Sequence, residues 1–378
     1  MSLPLFELES WFTAAEGKYD LTLSHSDCEP LAIADLLTSA EWEAFRSIGL
    51  NYGPSDGYPE LRRLVAAQYQ SIEPDGVAIF NGPSEAVYSF MRAVLRPGDE
   101  VVVMAPLFQP LHSIARSIGC AVTEWRPTDE IACTFDVSAL EAVCSEATKL
   151  IVVNFPHNPT GQMVSETDFR RIAQIARSHH ALLFSDEVFR WLEIPPLRAL
   201  PAACELYDQG VSVAGMSKPF GLSGLRIGWL ATRCESIREA VKQYRFNTSE
   251  MTNTVTQWLA CRALERKHEI LARNHSLIGL NLNLLEQFVA RHEALLGLRI
   301  PKAGTMAIVE QRTGLSSTEL CQRFLDDQRV LLVPGKPLGM SDRLLRFGLG
   351  RKGIANGLDR LTSFFRRLKP ERHGIHAA

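Results

Sequence analysis

The sequence has no run of 18 apolar residues, and its opening MSLPLFELESWF has neither a basic leader nor a long apolar segment behind one. A spanning helix and a secretory signal are therefore not expected, and the cytoplasm is the expected location. None of the eight cysteines (Cys28, Cys120, Cys133, Cys144, Cys204, Cys234, Cys261 and Cys321) stands in a CxxC or at zinc spacing from a histidine. They read as reduced core thiols, with no metal site. A net charge of -3 leaves no overall basic field, which argues against nucleic acid as a partner and for small-molecule work. Internal repeats, low-complexity tracts and long linkers are missing as well. One absence is local. No Asp or Glu occurs between 209 and 234, although Lys218 and Arg226 both stand there among glycines and large apolar side chains.

What is present is a rhythm. From about 77 to 232, short β-rich runs (VAIF, EVVVMAP, CAVTEWRP, KLIVVNFP, ALLFSDEVF, GVSVAG, RIGWLAT) alternate with segments of helical period. This pattern predicts helices layered on a mostly parallel sheet. The runs at 150–155 and 181–184 have no alternating polar face, as strands covered on both sides require. Polar residues follow abruptly: Asn154, His157 and Asn158 after one, Ser185, Asp186 and Glu187 after the other. Ligands of open α/β sheets sit beyond the carboxyl ends of the strands, so the site is expected there. After 235 the pattern turns to long helices through 295, short strands near 298–312 and 329–347, and a last helix near 353–368, which reads as a smaller α+β unit. The tail KPERHGIHAA is expected to fray.

The residues at these strand ends suggest a chemistry. A lysine in a weakly polar loop loses hydration as an ammonium, so Lys218 is suited to act as an amine nucleophile and to form a Schiff base. Arg226 can grip an anion beside it. The segment NGPSEA (81–86), a strand end turning into a helix, offers backbone N–H groups and the Ser84 hydroxyl to a phosphate. Together these fit a phosphorylated aldehyde. Asp186 can face the pyridinium nitrogen of such a cofactor, and Asn158 can donate to its phenolic oxygen.

Five motifs in order, NYGPSDGYPELR (51–62), PHNPTG (156–161), SDEVF (185–189), SKPFGLSGLRIGW (217–229) and LRFGLGR (345–351), make the chain resemble the class I/II aminotransferases. These are fold type I enzymes that use pyridoxal 5′-phosphate. The resemblance runs from about 20 to 365 and implies a mostly parallel seven-stranded sheet in a large domain, plus a smaller α+β domain. It divides the chain into a 1–38 arm covering the active site and joining the small domain, a 39–265 cofactor domain and a 266–378 small domain. It also implies roles. Lys218 matches the Schiff-base lysine and proton shuttle, Asp186 the partner of the ring nitrogen, Asn158 the O3′ hydrogen bond and Phe108 the aromatic stacked on the ring. Arg226 matches the phosphate arginine, with Gly82, Pro83, Ser84 and Ser217 around the same group. Arg346 matches the grip on the substrate α-carboxylate. Tyr52 matches a tyrosine that reaches a neighbouring subunit's cofactor, so a homodimer is implied.

The chain departs from that pattern in places. Phe189 stands where the family usually has tyrosine, which removes one hydrogen bond to O3′. Gly215 stands where a serine is common, and Pro83 has no N–H to give a phosphate. The usual N-terminal LxxGxP is replaced by LTLSHSDCEPL (21–31), which brings His25, Asp27 and Glu29 to the substrate-covering segment, with Glu9 upstream. Acids there suit a cationic far end of the substrate. The text around these positions resembles the bacterial subgroup that contains capreomycidine synthase and acts on arginine-derived amino acids. Three functions remain open at this point: a cyclase or dehydratase of an amino acid, an ordinary aminotransferase, and a cofactor-binding regulator. The absence of a preceding winged-helix segment speaks against the last.

Overall fold

The seven β-rich runs become seven strands: β1 (Val77–Phe80), β2 (Glu100–Met104), β3 (Ala121–Trp125), β4 (Thr148–Asn154), β5 (Leu182–Asp186), β6 (Gly210–Gly215) and β7 (Gly228–Ala231). In this computed structural model, which describes residues 3–129 and 132–367, they form one sheet in the order β1-β7-β6-β5-β4-β2-β3. β7 is antiparallel to both of its neighbours, and the remaining pairs are parallel. Val101–Val103, Ile151–Val153 and Leu183–Phe184 are buried on both faces, which is why their strands carry no polar alternation. The tail at 369–378 lies outside the described residues. No described helix is long and apolar enough to cross a membrane.

The arm before residue 38 is more structured than its sequence suggested. Leu8, Trp11, Phe12 and Ala15 recur at the spacing of one helix face, and helix α1 (Glu7–Ala15) forms with Glu7 and Glu9 in its first turn. Leu8 packs with Ile308, Val333, Leu338 and Leu344, while Trp11 Nε1 donates to the Leu332 carbonyl at 2.9 Å. The chain then runs as a short strand, Leu21–Thr22, parallel to Val330–Leu331. Helix α2 (Pro83–Val94) starts directly after β1 and sets Phe90 against Phe184 of β5, ring centroids 4.7 Å apart.

A second, antiparallel sheet has the order β10-β11-β9-β8, where β8 is Leu296–Arg299, β9 Met306–Gln311, β10 Val333–Pro334 and β11 Leu344–Gly348. Helices α3 (Lys267–Arg291), α4 (Ser317–Gln328) and α5 (Ile354–Arg367) close its core through Leu285, Phe288, Leu320, Phe324, Leu361 and Phe364. The long helices read up to 295 break at Arg266, where Thr254–Glu265 ends and α3 begins afresh. Helix α4 fills the gap between the predicted strand regions.

Candidate active site

The carboxyl ends of β4, β5 and β6 open into a cavity of about 410 Å³, closed from above by α1 and the segment 24–27 and from the side by β11. Lys218, Asp186, Asn158, Phe108, Phe189, Arg226, Arg346, Pro83, Ser84, Ser217, His25, Asp27 and Glu9 all line it. Residues from both sheets and from the arm thus meet in one place. Gly82 stands directly behind the Arg226 head, while Glu29 and Tyr52 stand elsewhere.

Asp186 is the last residue of β5 and is buried. Its Oδ1 accepts from the Val188 N–H at 3.1 Å, and its carbonyl accepts from Asn154 Nδ2 at 2.9 Å. Asn154 in turn accepts from the Asn158 N–H at 2.8 Å, so one buried amide fixes both strand ends. Burial pushes the Asp186 carboxyl up to about 7, while the Val188 N–H and the Lys218 charge pull the other way. Such a group ionises readily once a cation sits beside it. Lys218 follows β6, and burial draws its ammonium below the ordinary lysine range, opposed by Asp27 and Asp186. Its Nζ donates to Ser26 Oγ at 2.9 Å and lies 5.8 Å from the centre of the Phe189 ring.

The wall around Arg226 is built to hold a dianion. Gly82 has φ 94°, and a Cβ there would lie 2.5 Å from Arg226 Nη2, so glycine is what lets the guanidinium rest against the start of α2. Arg226 donates to the Ser223 carbonyl at 3.0 Å and has no carboxylate partner among the described residues. Ser84, Ser217 and Ser223 add hydroxyls to the same wall. A guanidinium free of acids, three hydroxyls and a helix N-terminus make a set that a phosphate completes.

Opposite stands Arg346 of β11, buried, donating through Nη2 to the Ser24 carbonyl at 3.0 Å and through Nη1 to Asn158 Oδ1 at 3.4 Å. Its Nε is buried with no hydrogen-bond partner among the described residues. Burial draws its guanidinium down to about 10, with Glu9 opposing, so it stays charged at neutral pH.

Glu9, Asp27 and Glu29, the arm acids expected at the site, part company. Asp27 is clamped by Arg351, Nε to Oδ1 at 3.0 Å and Nη2 to Oδ2 at 2.9 Å, so its charge is already matched. Glu29 accepts from the Lys352 N–H at 2.8 Å and does not line the cavity. Glu9 lines it and has no ion-pair partner among the described residues. Burial holds the His25 imidazole below its ordinary range, with Asp27 opposing. Tyr52 is 82% exposed and sits beside Leu50 and Met251–Thr254 rather than at this cavity. Sequence reading passed over Ser24, Ser26, Leu8 and Phe12, which also line the wall. The spacing of Leu8, Trp11, Phe12 and Ala15 was the available signal for α1; isolated hydroxyls carry none.

The model of aminotransferase class I and II matches residues 25–361. The chain belongs to this family. Capreomycidine synthase of Streptomyces vinaceus is 32% identical over 309 residues, 81% of this chain and 78% of that protein. Among solved structures, a PLP-dependent aminotransferase from Streptococcus suis superposes with a TM-score of 0.92 at 28% identity, covering 98% of this chain and all of the other. The PLP-dependent cyclase OrfR superposes at 0.86 with 27% identity, covering 97% and 98%. This family member is therefore a fold type I enzyme, and pyridoxal 5′-phosphate is its cofactor.

Proposed function

We propose that the enzyme acts on an arginine-derived L-α-amino acid, eliminating a β- or γ-hydroxyl as water and closing a ring through a guanidine nitrogen. The observation that carries this reading is Glu9, a carboxylate that lines the same cavity as Arg346 with no ion-pair partner among the described residues. Arg346 binds the α-carboxylate, and Glu9 then faces a cationic far end. The similarity to capreomycidine synthase and to a PLP-dependent cyclase supports the same choice.

In this reading Arg226, Ser84, Ser217 and Ser223 hold the phosphate, and Gly82 leaves room for the arginine. Pro83 closes the helix start, Phe108 would stack on the ring, Phe189 would leave one hydrogen bond to its phenolic oxygen unmade, and Asn158 would supply the other. When bound, pyridoxal 5′-phosphate supplies an electron sink that lets an attached amino acid lose its α-proton. Asp186 holds a proton at the ring nitrogen. Lys218 takes the α-proton, its amine kept available by burial. α1 excludes water, so that the leaving hydroxyl is replaced by the substrate's own nitrogen. Tyr52 reaches the second subunit of a homodimer.

Transamination shares the lysine and the sink, and the overlap with the Streptococcus suis aminotransferase favours it as the second reading. The purified enzyme is to be mixed with L-arginine, hydroxyarginines and common amino acids, with and without 2-oxoglutarate, and the products weighed. Loss of water without the oxo acid supports cyclisation or elimination. Glutamate formed only with the oxo acid establishes the aminotransferase instead.

A further inference from the structure

The segment 23–30, which follows the short strand Leu21–Thr22 and has no regular structure of its own, is fastened at several points. The Gly348 N–H donates to the Leu23 carbonyl and the Glu29 N–H to the Gly350 carbonyl, both at 2.6 Å. A Cβ on Gly350 would lie 2.2 Å from the Asp27 carbonyl oxygen, so only glycine permits this approach. Arg351 clamps the Asp27 side chain, and Thr305 Oγ1 donates to the Ser26 carbonyl at 2.8 Å. Ser26 thus has its neighbours and its own backbone held by the second sheet. Its hydroxyl is the hydrogen-bond acceptor of the Lys218 amine.

We infer that Ser26 is a positioning residue for Lys218, holding Nζ against the cavity wall so that the amine meets the α-hydrogen of the substrate in a fixed orientation. This rests on the reading of Lys218 as the proton carrier. A lysine has four rotatable bonds, and ordering it beforehand is where such a contact acts on the rate. The chemistry of the acceptor matters too. A carboxylate in this place would keep the ammonium protonated as an ion pair, whereas a neutral hydroxyl accepts a hydrogen from either form and lets the proton leave. The charges that face the amine are Asp186 at the end of β5, Asp27 beside Ser26, Arg346 on β11 and Glu9 on α1, with His25 and Cys28 as further titratable neighbours on the segment that holds Ser26. None of the acids among them accepts a hydrogen bond from Nζ; Ser26 does.

The test compares Ser26→Ala and Ser26→Thr in the full chain, with thermal unfolding as the control for folding. In cofactor-free protein, acetylation of Lys218 by acetic anhydride is followed against pH by peptide mass spectrometry. A hydrogen bond to oxygen favours the ammonium over the amine, so in Ser26→Ala the labelling midpoint moves to lower pH by about half a unit, and Ser26→Thr stays at the parent value. In the holoenzyme, with the amino acid turned over in the screen above, Ser26→Ala lowers kcat about 10- to 100-fold at unchanged KM and Ser26→Thr restores it. A parent-like midpoint or a parent-like kcat in Ser26→Ala overturns the inference. Lys218→Ala separates the two levels: turnover retained there defeats the reading of Lys218 itself, whereas a dead Lys218→Ala beside an unaffected Ser26→Ala defeats only the role of Ser26.

Discussion

Gly215 and Gly228 face each other across the antiparallel β6–β7 ladder, and the ring of Pro83 lies on the flat spot they leave. A Cβ on Gly215 would stand 2.8 Å from Pro83 Cγ and 2.8 Å from the Ile227 carbonyl, and one on Gly228 would stand 2.5 Å from the Pro83 nitrogen. The two departures from the family's pattern, glycine for serine and proline at the helix start, are therefore a single packing arrangement. Gly215→Ser is expected to cost about 1–3 kcal/mol through overpacking and to weaken cofactor retention. Adding Pro83→Ala recovers part of the loss, because the Ile227 contact remains. A double-mutant cycle on thermal unfolding checks this, and additive effects would show that the residues act separately.

Arg346 carries a buried guanidinium whose Nε has no hydrogen-bond partner among the described residues. Arg346→Gln is expected to raise KM for the amino acid about 100-fold, in line with removing one half of a buried charge pair. Absorbance of the bound cofactor is expected to stay, since the phosphate set proposed around Arg226 does not include Arg346. Loss of the cofactor with the mutation would place Arg346 in the wrong role.

Glu9 and Asp27 make opposite predictions although both line the cavity. Glu9→Gln is expected to raise KM for amino acids with a cationic side chain and to spare neutral ones. Asp27→Asn leaves Arg351 without its acid and is expected to cost about 1–3 kcal/mol, between an exposed and a buried pair, without favouring one substrate charge over another. Steady-state kinetics on both substrate types, beside thermal unfolding, distinguishes the two. The reverse pattern would move the cation site from Glu9 to Asp27.

How much of this could be read beforehand depends on distance along the chain. Asp186 and Asn158 stand where apolar strands break off into polar residues, and Lys218 and Arg226 stand in a run without acids, so local signals pointed to all four, and the cavity does gather them. The neutralisation of Asp27 could not be read, because Arg351 is 324 residues away. Ser26 was hidden for a related reason: a hydroxyl has no sequence signature, and its aim is set by Thr305 and by glycines of the second sheet. Helix α1 was written in its spacing, but nine residues are too few to compel a helix without the surface of Ile308, Val333 and Leu344 to rest on.

Asp186 gives a pH dependence with a definite sign. An unfolded aspartate releases its proton near 3.8, whereas burial makes the folded chain retain it to about 7. Between those values the native state binds more protons than the unfolded one, so stability falls as pH rises through the window. For cofactor-free protein the loss is on the order of a few kcal/mol. Asp186→Asn is expected to abolish it, and bound cofactor to shrink it by supplying a cation to the carboxylate. Unfolding temperatures of parent and variant from pH 4 to 7.5 test this; parallel curves would mean that Asp186 ionises normally in the cofactor-free fold.

Tyr52 projects from the surface at 82% exposure, next to Leu50 at 87% and a recess formed with Met251–Thr254. A side chain in that position serves a cavity only if a second copy brings one to it. Mixed dimers decide the matter. Lys218→Ala and Tyr52→Ala homodimers are each expected to be impaired, while a heterodimer of the two contains one site with an intact lysine from one subunit and an intact tyrosine from the other. Its activity should reach about half that of the parent dimer, since one of two sites is whole. If Tyr52 serves the cavity of its own chain, each site of the mixed dimer lacks a residue, and mixing restores nothing.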